Sequence, residues 1–261
     1  MTITFAHRGA RIEEPENTLA AFRRGLELGA SGVETDARLS LEGEVVLAHG
    51  PTCGRGRRRL SVDEASAADL ASMGTPSLAD VYAELGTDFE LSIDLKVAGV
   101  GEAVLACAAA AGRAAGSRLW LCSPDLEVLR GLRRSAEPAG AHLVHSVDRR
   151  APAMSGERHA ADLAAGGIEV VNLHRTAWSA GLVALYHRFG VQAFAWDAQE
   201  ERHLRALLAI DVDALYCDRP ERMIAAIEAW LTAQVPATEV ASEEAEPRER
   251  PYPHERPTDD S

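Results

Sequence analysis

An alternation of short apolar runs with longer amphipathic stretches constrains this chain more than any other feature. Runs rich in Val, Ile and Leu at 3–6, 32–37, 89–95, 119–122, 142–146, 169–173, 191–196 and 213–217 read as eight strands. Helical patterns follow near 17–28, 77–85, 101–114, 125–135, 158–165, 180–189, 200–208 and 220–232. Parallel strands need crossovers. Eight strand–helix units in about 230 residues have the economy of an α/β (β/α)8 TIM barrel, closed as one domain. An open, doubly wound sheet is the competing arrangement, but no GxGxxG follows the first run. Pro15 before Glu16-Asn17-Thr18, then Ser123-Pro124-Asp125 and Asp218-Arg219-Pro220, mark helix entries, with Asn17 or Thr18 able to cap the first.

Composition bounds the function. The chain has 261 residues, 46% hydrophobic and 26% charged, enough to bury a core without staples. Its 27 Lys and Arg against 40 Asp and Glu give a net charge of -13, which disfavours nucleic acid as a partner. Cys53, Cys107, Cys122 and Cys217 are scattered without CxxC spacing, against a disulfide scaffold or a structural zinc site. No apolar leader precedes the first run, and the alanine-rich stretch 103–115 is interrupted by Gly112 and Arg113. No stable membrane insertion and a cytoplasmic location are therefore expected. From residue 233 to the end the chain holds five prolines, eight acidic residues and three arginines, with few large apolar groups. The expected organisation is a barrel over 1–232 and a disordered, acidic, Pro-rich C-terminal tail over 233–261.

Barrel enzymes carry their chemistry at the C-terminal ends of the strands. Polar residues fall there at His7-Arg8, Glu34-Thr35-Asp36, Asp94-Leu95-Lys96, Asn172-Leu173-His174, Trp196-Asp197 and Asp218; a further extended run, 45–48, ends in His49. Glu34 and Asp36 are two apart and share one face of a strand, as do Asp94 and Lys96. Three inward carboxylates repel one another unless a cation sits between them, and an oxygen set suits one divalent cation, Mg2+ or Ca2+. An isolated ExD also serves as a helix cap or an arginine partner. Lys96 is the chain's one lysine, against 26 arginines, as expected where a compact ammonium is hard to replace. His7 and His49 can form an acid–base pair near neutral pH. Arg8 can clamp a phosphate, and Arg55, Arg57, Arg58 and Arg59 can guide an anion to the mouth or simply be a solvated loop.

In order, His7-Arg8-Gly9, Pro15-Glu16-Asn17-Thr18, Val33-Glu34-Thr35-Asp36, His49, Thr75-Pro76-Ser77-Leu78, Ile93-Asp94-Leu95-Lys96, Phe194-Ala195-Trp196 and Val212 to Pro220 resemble the glycerophosphodiester phosphodiesterase family over residues 4–230. The resemblance implies a TIM barrel that hydrolyses small-molecule glycerophosphodiesters to glycerol 3-phosphate and an alcohol with a divalent metal. It implies Glu34, Asp36 and Asp94 as metal ligands and His7 and His49 as the catalytic acid–base pair. It implies Arg8 and Lys96 on the phosphate, Trp196 in the pocket wall and Glu16 in support. Two positions depart from the family pattern: Asp94 stands where Glu is usual, and Gly50 where an Asp usually follows the second histidine. Expected consequences are a changed metal bond at Asp94 and no carboxylate to orient His49. The alternatives are an impaired homologue that binds a diester without turnover, or a phospholipase D-like enzyme forming a cyclic phosphate. The segment after His49 is short, so no large lid domain is expected.

Overall fold

The computed structural model describes residues 2–54, 59–149 and 156–234. Eight parallel strands close into a ring: β1 (Ile3–His7), β2 (Gly32–Leu39), β6 (Glu90–Leu95), β7 (Leu119–Ser123), β8 (His142–Ser146), β9 (Val170–His174), β10 (Gln192–Trp196) and β11 (Ala214–Cys217). β1 pairs with both β11 and β2, which shuts the barrel. The closed ring excludes the open sheet and bears out the eight-unit reading. Its strands are buried on both faces, which is why they read as nearly continuous apolar runs.

Helices α1 (Leu19–Glu27), α3 (Leu78–Leu85), α4 (Val100–Ala111), α5 (Arg113–Ser117), α6 (Leu126–Ala139), α7 (Gly156–Ala165), α8 (Ala180–Arg188), α9 (Glu201–Leu208) and α10 (Pro220–Gln234) wrap the ring. The expected helix over 101–114 is two helices, because Gly112 takes φ 123° and ends the first. Thr18, not Asn17, caps α1, accepting from the Ala21 N–H, and Asn17 lies outside the helix at φ 57°. α10 runs two residues past the expected boundary at 232; the rest of the proposed tail, 235–261, lies outside the described residues.

The crossover from β2 to β6 is longer than the others. It carries β3 (Val45–Leu47), antiparallel to the end of β2, a two-stranded β4 (Thr52–Cys53) and β5 (Leu60–Ser61), and α2 (Ala67–Ser72). Val46, Ala48, Val62, Ala65 and Leu70 give this excursion a small core of its own. It places His49 over the barrel's upper end.

Inside the ring, Phe5, Trp120, Val144, Val170, Phe194 and Tyr216 fill the lumen. Phe5 stacks on Tyr216 with centroids 4.7 Å apart and meets Trp120 edge-on at 6.5 Å. Each such buried ring contributes on the order of 2 kcal/mol by leaving water. This aromatic plug closes the barrel from below and makes a floor for what stands above. Among the described residues no helix is long and apolar enough to cross a membrane.

Candidate active site

Register builds the site. In the parallel ladder His7 lies opposite Glu34, and Asp36 lies opposite Asp94. His7, Glu34 and Asp94 line a cavity of about 610 Å³ at the C-terminal ends of the strands. His7, Arg8, Glu34, His49, Asp94, Lys96 and Trp196 all line it, over a floor that includes Tyr216 and Cys122. Asp36 lies at 1% exposure beneath them, held by Lys96, His49 and Asn17. The structure thus brings His7, Arg8, Glu34, Asp36, His49, Asp94, Lys96 and Trp196 to one place.

Glu34, Asp36 and Asp94 each offer an oxygen within 4.8 Å of the other two. Glu34 is buried; burial first, then the charges of Asp36 and Asp94, drives its carboxyl up to about 8, against the pull of His7. Asp36 moves the other way, down to about 2, because Lys96 and Arg8 outweigh its own burial. Lys96 Nζ sits 2.9 Å from both Asp36 Oδ1 and Asp94 Oδ2. Burial opposes its charge, but the two carboxylates outweigh it and hold the ammonium well above its ordinary value. One lysine thus balances only part of a three-carboxylate set. The uncompensated member is Glu34, and an all-oxygen set of this kind fits a hard divalent cation.

The two imidazoles are held alike. His7 Nδ1 lies 2.6 Å from Asp218 Oδ1, and its Nε2 lies 3.6 Å from Glu34. Burial alone would lower the His7 pKa; Glu34 and Asp218 outweigh burial and raise it. Asp218 is lowered in return, the bond from His7 outweighing its burial, and Gln199 Oε1 accepts its backbone N–H at 3.0 Å. His49 Nδ1 lies 3.1 Å from Asp36 Oδ1, and its Nε2 accepts from Arg8 Nη2 at 3.4 Å. The expectation that His49 lacks an orienting carboxylate is therefore corrected: Asp36 takes the place that Gly50 leaves empty.

Arg8 occupies the left-handed region at φ 56° and Gly9 at 79°. A Cβ on Gly9 would lie 2.5 Å from the Ala21 carbonyl carbon, so the turn after β1 needs glycine to bring α1 against it. This turn swings Arg8 back over the site. Its N–H donates to Glu34 at 3.1 Å, its Nη1 to Glu16 at 3.0 Å, and its Nε lies 3.3 Å from Asp36 Oδ2. Glu16 therefore supports the site through Arg8. Arg55, Arg57 and Arg58 lie outside the described residues; Arg59 donates to Thr52 on β4 at 2.9 Å.

Asn17 and Asp218 also belong to the site: the sequence marks Asn17 as a helix cap and places Asp218 at a strand end without giving it a role. Asn17 Nδ2 donates to Asp36 at 3.1 Å while its Oδ1 accepts from Thr35 at 2.8 Å, so it fixes the angle of the buried carboxylate. Asp218 follows directly on the eighth barrel strand, β11. A closed ring sets that strand beside the first, and this was the signal available for pairing it with His7.

A closed parallel barrel with carboxylates, imidazoles and cations gathered over its strand ends defines a (β/α)8 enzyme of the hydrolytic kind. The model of the glycerophosphoryl diester phosphodiesterase family matches residues 7–222, and this chain belongs to that family of phosphoric diester hydrolases, which generally depend on a divalent metal. A glycerophosphodiester phosphodiesterase of Caldanaerobacter subterraneus is 26% identical over 245 residues, 85% of this chain and 96% of its own. The fold is shared with the Thermotoga maritima glycerophosphodiester phosphodiesterase, at TM-score 0.72 and 22% identity, covering 86% of this chain and 98% of that one. An Oleispira antarctica phosphodiesterase solved with sn-glycerol-3-phosphate superposes at 0.68 and 21% identity, covering 87% of this chain and 97% of its own.

Proposed function

We propose that this chain hydrolyses glycerophosphodiesters to sn-glycerol 3-phosphate and an alcohol in the cytoplasm, using one divalent cation, Mg2+ or Ca2+, held by Glu34, Asp36 and Asp94. The observation that carries this reading is the convergence of three carboxylate oxygens within 4.8 Å in a cavity lined by both His7 and His49. Held by these three carboxylates, such a cation would supply Lewis-acid stabilisation of the negative charge that develops on the phosphoryl oxygens. Arg8 and Lys96 hold the phosphate through charge-assisted hydrogen bonds. Asp218 and Asp36 fix the Nδ1 side of each imidazole, so each Nε2 is the nitrogen that works, that of His49 on release from Arg8. One imidazole takes the proton of the nucleophile, water or the substrate's own hydroxyl, and the other returns a proton to the leaving alkoxide. Trp196 lines the wall on which the organic part of the substrate rests.

Purified protein with Mg2+ or Ca2+ is expected to release sn-glycerol 3-phosphate from sn-glycero-3-phosphocholine. Chelation should stop the release and fresh cation should restore it. No turnover across a panel of glycerophosphodiesters with either ion would overturn the proposal. A cyclic phosphate seen by phosphorus NMR would instead mean that the substrate's own hydroxyl is the nucleophile.

Asp94 is the one remaining departure that favours an impaired, ligand-binding homologue. Asp94→Glu is expected to keep or raise cation affinity, by up to about tenfold, in calorimetric titrations with Mg2+ and Ca2+. Tight diester binding without product in the wild type, together with gain of turnover in Asp94→Glu, would favour that second reading. Collapse of activity on the same change would mean a site fitted to the shorter arm.

A further inference from the structure

The wall of the cavity farthest from His7 is held by a buried cluster that the chemistry above does not use. β8 stands four places round the ring from β1. Val144 faces the lumen and Ser146 the cavity, so alternation turns His145 outward, under α7. His145 is 5% exposed and His159, on α7, 4%. His145 Nε2 lies 3.2 Å from the Pro124 carbonyl, His145 Nδ1 lies 2.9 Å from His159 Nε2, and His159 Nδ1 lies 2.7 Å from the Tyr186 hydroxyl on α8.

The carbonyl end fixes the direction of every bond. A carbonyl only accepts, so His145 Nε2 carries the proton and, in the neutral ring, Nδ1 accepts. His159 Nε2 must then donate, its Nδ1 must accept, and the Tyr186 hydroxyl must donate. Four groups are satisfied with two neutral imidazoles in the same tautomer; a second proton at His145 Nδ1 would face the His159 N–H, and one at His159 Nδ1 would force the Tyr186 hydroxyl to turn and accept. Burial keeps both rings down, His159 to about 4 and reinforced by His145; Asp125 facing His145 and Asp162 facing His159 do not cancel it. Trp178 packs edge-on to Tyr186 at 5.7 Å and seals the outer end.

We propose that His145, His159 and Tyr186 are positioning residues: an ordered hydrogen-bond relay that pins the corners after β7 and β8, and so sets how tightly the cavity's far wall grips its substrate. Pro124 lines that wall at one corner, and Ser146 and Val147 line it at the other. The relay ties the first corner to the second through His145, and the second to α7 and α8 through His159. This inference rests on reading the cavity as the diester site.

Nitrogen-15 NMR of the full chain at pH 7 should show His145 and His159 both neutral and both protonated at Nε2. Tyr186→Phe and His159→Leu should raise KM for sn-glycero-3-phosphocholine about fivefold, the loss of about one net hydrogen bond, with kcat within about twofold. Backbone amide exchange over 123–125 and 145–147 should quicken in both. His159→Gln, which keeps an N–H toward His145, should stay close to the wild type. An Nδ1–H tautomer at His145 overturns the relay; so does an unmoved KM in Tyr186→Phe, or a fall in kcat alone. Should His159→Leu fail to fold, Tyr186→Phe decides alone. A wild type inactive on every diester would sink the reading of the site instead, while tautomers and exchange still test the relay.

Discussion

His7→Ala is expected to lower kcat by about 10²–10⁴-fold, the range for losing a positioned acid or base. The change removes the one group bonded to Asp218 at 2.6 Å and set 3.6 Å from Glu34. Folding should survive, because His7 ends its strand and Phe5, two residues earlier, makes the packing contacts in the lumen. A rate within tenfold of the wild type, at saturating substrate and with cation present, would show that His7 is a spectator. Asp218→Asn separates proton transfer from orientation. It keeps a side chain of the same shape, takes away the charge that holds the imidazole, and should cost less than removing the ring.

Glu34→Gln is expected to stop turnover, to below about one part in a hundred, and yet to stabilise the cation-free protein. The Glu34 carboxyl is pushed up to about 8 by burial and by its acidic neighbours, above its ordinary 4.5. The folded state therefore holds this proton more tightly than the unfolded state. Its contribution to stability is full below about 4.5 and fades as pH rises through about 8. His7, also raised, works in the same direction, whereas His159, lowered to about 4, works in the opposite one at acid pH. Urea unfolding at pH 8 without cation should thus find Glu34→Gln more stable than the wild type, and at pH 5 the two should converge. Added Mg2+ or Ca2+ should restore the wild type at pH 8 and leave the variant unmoved. Equal stability of the two proteins at pH 8 without cation would mean that Glu34 is not the uncompensated charge.

Much of this was readable along the chain, for local reasons. A barrel strand is covered on both sides, so runs such as Leu119–Ser123 and Val170–His174 announce themselves as apolar stretches. The two-residue spacing of Glu34 and Asp36 puts both on one face whatever surrounds them. What escaped was set by contacts distant in sequence and by single backbone angles. His7 and Asp218 are 211 positions apart and meet because β11 returns to β1. The split of the alanine-rich helix turned on one backbone angle at Gly112, which helix propensity summed over a window hides. His49 gets its carboxylate from Asp36, thirteen residues earlier, because β3 folds back antiparallel on β2. The pairing of His145 with His159 depends on how α7 lies over β8, and no periodicity encodes that.

The chain's one lysine has a practical consequence. Lys96 bridges Asp36 and Asp94, and its side chain is 23% exposed. Reductive methylation with carbon-13 formaldehyde would place a label at the ε-amine there and at the chain terminus alone. Two resonances, one of them beside the acidic cluster at the cavity, would turn occupancy by ion or product into a spectrum that can be read in minutes.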